Sequence, residues 1–347
     1  MRHRPQLNRL LPMRILFALL GLASASYAQF GSAGSAEFVF LRNFQGARMV
    51  GMCGVPAAGE DLSSLGWQPA SFARLQSTRL EVGYRAQMSD VVPGFAAYAR
   101  PLWGGVIAGR MDYQSSGEIT GVSDLGDPTG RIHRPQEMLL NVAFAEALGD
   151  RFAWGAGFKA VEENLDIDDS QAWGVAVDVG TVFQPGSRRF AHSLYVSNLG
   201  TKLSGHTKEE SDFGSMPLSF GYTLLYRPGV RGLDLYQDVQ KPVDNEFMLR
   251  TGVEYKVNDW VQVRGGFRTD LQEVEDAFRV WVLSRQDPDN PPLHDQRWAL
   301  GGTVSNGSLA LTYGFQWWRL LNAVHSLTLS WNVGASAAPA PSPLENP

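Results

Sequence analysis

Residues 247–256 read FMLRTGVEYK. Phe247, Leu249, Thr251, Val253 and Tyr255 alternate with Met248, Arg250, Gly252, Glu254 and Lys256. A repeat of two puts each set on its own face of a β-strand. One face is apolar and closes on an aromatic ring, while the other carries charges of both signs. A soluble sheet with one wet face alternates in the same way, so this stretch by itself fixes a strand and not a compartment.

The pattern recurs along the chain. Leu80, Val82 and Tyr84 alternate with Glu81, Gly83 and Arg85. Phe152, Trp154, Ala156 and Phe158 alternate with Ala153, Gly155, Gly157 and Lys159. Trp173, Val175, Val177 and Val179 enclose Gly174, Ala176 and Asp178, and Leu327, Leu329 and Trp331 enclose Thr328 and Ser330. The reading predicts fourteen strands: 77–87, 93–100, 104–112, 137–147, 151–160, 171–183, 188–198, 216–226, 230–238, 245–256, 258–268, 296–304, 308–316 and 324–332. A fifteenth apolar piece, Phe278–Ser284, is assigned to a surface loop over 269–295, because bacterial barrels close with even strand numbers. Segments of this length suit a tilted membrane strand of about 9–11 residues. The expected fold class is all-β, a transmembrane antiparallel β-barrel of about fourteen strands spanning 77–334. Lipid would leave an open sheet edge without hydrogen-bond partners, so the sheet must close.

The ends of the sequence place the barrel. Four arginines and no acidic residue fall in residues 1–28, and Ile15–Ala25 is an apolar run too short to cross a bilayer as a helix. Ser26-Tyr27-Ala28 before Gln29 resembles a cleavage site, so 1–28 is expected to be a secretory signal peptide, with a buried N-terminal helix as the alternative. Residues 335–347 are rich in Ala, Pro and Ser and are expected to form a disordered tail. Beyond residue 28 there are 26 basic and 35 acidic residues, a balance of about −9 that disfavours nucleic-acid partners. The single cysteine, Cys53, allows no disulfide framework. The expected location is the bacterial outer membrane, with membrane lipid as one partner.

Residues 29–76 do not alternate. Gly46, Gly51, Gly54, Gly59 and Gly66 permit turns and close packing. Asp61 can cap a short helix, and Pro69 pushes Gln68 toward extended geometry. The segment reads as a compact plug before the first strand, or alternatively as a first hairpin of the sheet. Neither GxGxxG nor GxxxxGK occurs.

No catalytic, cofactor-binding or metal-binding set stands out. The six histidines lack ligand spacing, and serines near them do not make a triad. The chain is expected to be non-enzymatic and without a cofactor. Arg85, Lys159, Asp178, Arg250, Glu254, Lys256, Arg264 and Arg268 are expected to face the interior. Of these, Arg250/Glu254 and Arg264/Arg268 on adjacent strands are expected to balance charge across the wall. Val280-Trp281-Val282 is a candidate partner-facing loop tip.

Several short motifs resemble those of the PorV/PorQ family of outer-membrane proteins, whose barrels resemble the FadL long-chain fatty acid transporters. They are Gly46-Ala47-Arg48, Gly51-Met52-Cys53-Gly54, Glu60-Asp61 and Trp67-Gln68-Pro69-Ala70, followed by Ser197-Asn198-Leu199-Gly200 and Gly252-Val253-Glu254-Tyr255. Cys53 and Gln68 depart from the family's glycine and asparagine. The opening Phe38–Asn43 is slightly more similar to the PorQ branch. The resemblance implies a role in type IX secretion, with secretion components and exported cargo proteins as partners, helping to attach cargo at the cell surface. The alternative is a FadL-like transporter of hydrophobic small molecules. A continuous apolar path past the plug would favour transport, and exposed apolar loop tips would favour a protein partner.

Overall fold

The computed structural model describes residues 36–43, 46–56, 62–86, 91–123, 126–166, 170–205, 216–271, 274, 297–318 and 322–333. The expected signal peptide (1–28), the tail (335–347), Asp61 and the Val280-Trp281-Val282 tip lie outside these residues.

Among the described residues sixteen strands follow one another: β1 (Thr78–Ala86), β2 (Val92–Leu102), β3 (Gly105–Ser115), β4 (Ile119–Val122), β5 (Pro128–His133), β6 (Gln136–Leu148), β7 (Phe152–Asn164), β8 (Gln171–Phe183), β9 (Phe190–Ser204), β10 (Ser219–Tyr226), β11 (Leu233–Pro242), β12 (Met248–Lys256), β13 (Val261–Asp270), β14 (Arg297–Ser305), β15 (Leu309–Trp318) and β16 (Asn322–Val333). Fourteen of them form a closed antiparallel barrel, and β4 and β5 make a separate hairpin. The barrel closes where β1 pairs with β16, from Thr78 opposite Val333 to Ala86 opposite His325. Closure leaves no sheet edge to satisfy, which is the condition for a sheet in lipid.

Alternation sorts the side chains as the pleat requires. On β1, Val82 and Tyr84 face outward, whereas Glu81 and Arg85 are buried inside. On β8, Val177 and Val179 are exposed and Asp178 is fully enclosed. The outer wall between the two rims carries Met111, Leu140, Val142, Leu300, Leu311 and Leu329, all exposed. In water each such side chain would forgo roughly 1.5–3 kcal/mol of burial. A belt of them around a closed barrel belongs in hydrocarbon, and the chain is an outer-membrane β-barrel protein.

Orientation follows from the connections. Short turns at Trp103-Gly104, Gly149-Asp150 and Asn306–Ser308 join strands at one end, while the longer connections gather at the other. Outer-membrane barrels keep short turns on the periplasmic side. Rings mark both rims: Tyr113, Trp173, Trp298 and Trp317 toward the long loops, and Phe183, Tyr255, Trp260 and Trp331 toward the short turns.

Three features depart from the strand boundaries read in the sequence. The polar stretch 113–136 contains the β4–β5 hairpin. It is fastened to the β7–β8 connection, where His133 Nδ1 lies 2.6 Å from the Asp166 carbonyl and the Arg134 amide donates to the Asp166 carboxylate at 2.8 Å. β7 runs on to Asn164, and β9 runs on to Ser204. The β8–β9 register shifts twice, and at one shift Asn198 adopts φ +60°. A β-bulge of this kind re-aims a side chain. Here the Asn198 amide donates to the Asp178 carboxylate at 2.9 Å, and its side chain turns into the barrel.

Candidate functional site: the filled lumen

The segment before β1 occupies the barrel from mouth to base. Near the long loops, Glu37 accepts from Lys202 of β9 at 2.6 Å, and Arg42 pairs with Asp244 in the β11–β12 connection. At the short-turn end, Arg74 donates to the Asp150 carbonyl at 3.0 Å. Between these ties the described residues make only single turns of helix, at Val39–Arg42, Ala47–Val50, Leu62–Ser64 and Pro69–Phe72. Gly51 ends the second of these turns, while Asn43 follows the first and Ala73 the last. Short turns leave many backbone groups unpaired within the segment, and a buried amide or carbonyl needs a partner. The polar inner wall supplies them. Ala47 N donates to Thr328 Oγ1 at 3.0 Å, Lys159 Nζ donates to the Gly66 carbonyl at 2.6 Å, and Arg110 donates to the Leu62 carbonyl at 3.3 Å.

Close approach is set by glycines on the wall. A Cβ on Gly314 of β15 would stand 2.2 Å from the Ala47 carbonyl oxygen, and one on Gly266 of β13 would stand 2.4 Å from the Met52 carbonyl carbon. Both are backbone contacts, so no side-chain rotation could relieve them.

The residues singled out in the segment fall along this path. Gly46 is the extended residue before the Ala47–Val50 turn, and Gly51 ends that turn. Ala47 is fully buried, and Gly54 takes φ +86° just after Cys53 at φ +53°. Trp67 packs with Met49, Val50, Tyr195, Trp318 and Val324. Pro69 opens its own turn and Ala70 is buried within it. Gln68 reaches the wall through its amide, donating to the Thr181 carbonyl at 3.0 Å and to the Ser193 hydroxyl.

Three of the buried charge nodes on the wall involve residues singled out in the sequence. In register, Glu254 lies opposite Arg264 and Arg250 lies opposite Arg268. Glu254 accepts from Arg264 at 3.2 Å, from Arg48 of the lumenal segment at 2.5 and 3.0 Å, and from Tyr236 at 3.2 Å. Arg250 pairs with Asp238 of β11 at 3.1 Å, and that carboxylate also accepts from Thr223 at 2.7 Å and Tyr195 at 3.2 Å. Arg268 lies 3.6 Å from Asp270 on its own strand. The third node is Lys159 with Asp178 at 2.9 Å, flanked by Asn141 and Asn198. Lys256 shares the strand face of Arg250 and Glu254 but ends the strand at the short-turn rim, where it is exposed and lies 3.0 Å from Asp259.

Sequence reading did not single out Arg110, Asp112, Tyr195 or Asp238. Arg110 and Asp112 sit two apart on β3, the spacing that shares a strand face, and Arg110 donates from Nε and one arm to the two carboxylate oxygens at 2.7 Å each. That spacing was visible in the sequence. The convergence of Tyr195 and Asp238 from β9 and β11 depends on register and was not.

The inner wall is not uniformly polar. Phe38, Phe40 and Leu41 of the segment pack with Leu139, Val161, Ala172, Ala176 and Met216 inside the mouth that bears the long loops. Below them lies a cavity of about 30 Å³ lined by Phe40, Leu41, Asn43, Ser63, Gly66, Trp67, Arg110, Asp112, Leu139 and Lys159. It has room for a water or two. At the opposite end an open crevice of about 510 Å³ lies between Ala73–Gln76 and the β2–β3 turn around Trp103. Between the two, Leu62, Leu65, Phe72 and Leu75 rest on Ala97, Ala99, Ala108, Ala143, Ala145 and Ala153 of the wall. Among the described residues no group of three or more His, Cys, Asp or Glu could hold a metal ion.

Solved structures share this architecture. The Pseudomonas putida toluene transporter TodX is 13% identical over 85% of this chain and 100% of its own, with a TM-score of 0.59. A TodX mutant described as a monoaromatic hydrocarbon channel is 12% identical over 83% of this chain and 98% of its own, with a TM-score of 0.56. A Pseudomonas aeruginosa FadL homologue is 13% identical over 83% of this chain and 98% of its own, with a TM-score of 0.52. No protein-family model and no curated protein matches the chain. These likenesses correct the PorV/PorQ resemblance and with it the type IX secretion role and the secretion-component and cargo partners. Those three structures are described as a hydrocarbon channel, a toluene transporter and a FadL homologue. The physical reason lies in the motifs. Gly46-Ala47-Arg48, Gly51 and Trp67-Gln68-Pro69-Ala70 seat a segment inside a barrel, which any filled barrel requires whatever it carries.

Proposed function

We propose that the protein is a non-enzymatic passage for small hydrophobic molecules across the outer membrane, with residues 29–76 acting as a plug inside a barrel formed by 77–334. The observation that carries this reading is the apolar cluster inside the mouth. A water-filled pore has no use for Phe38, Phe40, Leu41, Leu139 and Met216 turned into its lumen, whereas an apolar solute leaving water gains from such a surface. The alanine face below gives the plug's leucines a smooth apolar bed reaching toward the crevice at the short-turn end. Likeness of fold to the toluene transporter adds support at the level of architecture.

Uptake tests the reading. Cells with and without the protein are given radiolabelled toluene and, separately, a small sugar, and initial rates are compared. Faster entry of the hydrocarbon alone is expected. Equal hydrocarbon entry in both strains refutes the proposal, and faster sugar entry alone makes the protein a porin.

A further inference from the structure

We infer that Asp112 and Asp178 are specificity-determining residues that exclude anionic ligands from the plug cavity, restricting it to neutral hydrophobic molecules. This rests on the transport reading above and deepens it.

The cavity presents two cations, Arg110 and Lys159, beside Phe40, Leu41, Trp67 and Leu139. An apolar pocket with a cation at its side would ordinarily suit an amphipathic acid, the tail on the rings and the carboxylate on the charge. Here both cations are already committed. Arg110 gives Nε and one arm to the two oxygens of Asp112 at 2.7 Å each, and its other arm to the Leu62 carbonyl at 3.3 Å. Its guanidinium carbon lies 4.0 Å from the centre of the Phe95 ring, so a ring covers one face. Lys159 has three donors. They are matched by Asp178 at 2.9 Å, Asn198 at 2.5 Å and the Gly66 carbonyl at 2.6 Å.

All four charged side chains are buried, and they sum to zero. An incoming carboxylate would find each cation already neutralised by a buried carboxylate, Arg110 by Asp112 and Lys159 by Asp178. It would shed its hydration and meet the repulsion of those carboxylates in return. A neutral ligand meets no such penalty. At about 30 Å³ the cavity must widen to admit one.

The test uses the full-length protein in detergent and three probes of one chain length: octanol, methyl octanoate and octanoate at pH 8. Equilibrium dialysis is run on the native protein and on Asp112→Asn. The native protein is expected to bind the two neutral probes about tenfold or more tighter than octanoate. Asp112→Asn frees Arg110 from its carboxylate and is expected to narrow that gap by about tenfold, mainly by improving octanoate. The comparison of methyl octanoate with octanoate needs no variant and decides the matter even if Asp112→Asn fails to fold. Octanoate binding as tightly as its ester overturns the inference while leaving the transport reading intact. A folded Asp112→Asn with an unchanged ratio overturns the role of Asp112. Absence of binding by all three probes overturns the transport reading itself, and the inference with it.

Discussion

Replacing Gly314 by alanine should loosen the plug without opening the barrel. An ideal Cβ there would lie 2.2 Å from the Ala47 oxygen and 3.0 Å from the Gly51 nitrogen, whereas ordinary contact begins at 3.4 Å. The Ala47–Val50 turn must therefore retreat by about 1.2 Å, because its backbone has no rotamer to change. That retreat strains the 3.0 Å bond from Ala47 N to Thr328 and the seating of Arg48 on Glu254. Overpacking of this size costs about 1–3 kcal/mol. The assay is hydrogen–deuterium exchange of the full-length protein in micelles. Protection of amides 46–55 is expected to fall about 5- to 150-fold, the ratio that corresponds to such a cost. Strand amides of β1–β3, away from the clash, should be unchanged, as should the gel shift between unheated and heated protein. Gly109→Ala is the control, since its nearest atom would be 3.9 Å away. Equal exchange in the two variants would refute the claim that Gly314 sets the depth of the plug.

Glu254→Ala leaves Arg48 and Arg264 facing each other without the carboxylate they share, and breaking such a buried set costs on the order of 3–5 kcal/mol. The expected readout is a lower urea midpoint with the same slope. Replacing Arg48 as well should recover part of the loss, and a midpoint equal to that of the native protein would count against the node. Burial pushes the Cys53 thiol up to about 12. The folded protein should therefore resist maleimide at pH 7–9 and label fully only when unfolded. The unfolded thiol ionises near 8.5, so stability should fall as pH rises from there toward the folded value, and Cys53→Ala should flatten that slope. Rapid labelling of folded protein would mean that the plug opens at Cys53.

Barrel architecture was legible because alternation is a local signal. Leu80-Glu81-Val82 announces its two faces without help from any other strand. The ends of β7 and β9 were less legible, since Val161–Asn164 and Leu199–Ser204 are polar enough to read as loop once they rise above the hydrocarbon belt. The same holds for β4 and β5, a hairpin outside the barrel whose side chains are nearly all exposed and need no alternation. Charge pairing across strands requires register. Arg250 was expected to balance charge within its own strand pair, but its partner Asp238 lies on the other neighbour, β11. Short motifs in the plug misled as to role because they encode how a chain packs within a cylinder.

The seam between β1 and β16 has a consequence for assembly. Ser330 donates to Glu81 at 3.2 Å across 249 residues of chain, so the cylinder is completed only when the last strand arrives. The lumenal segment is tied at both rims and by ion pairs along the wall, which would resist its being drawn in through a finished ring. The sheet is therefore expected to close around it, with Arg48, Gln68 and the Leu62 carbonyl on Arg110 as an internal mandrel. Long-range pairing of this kind is slow. Truncation within β16 should accordingly arrest the chain as an uncurled sheet around an occupied core, a different failure from loss of the plug, which removes the former on which the cylinder is shaped.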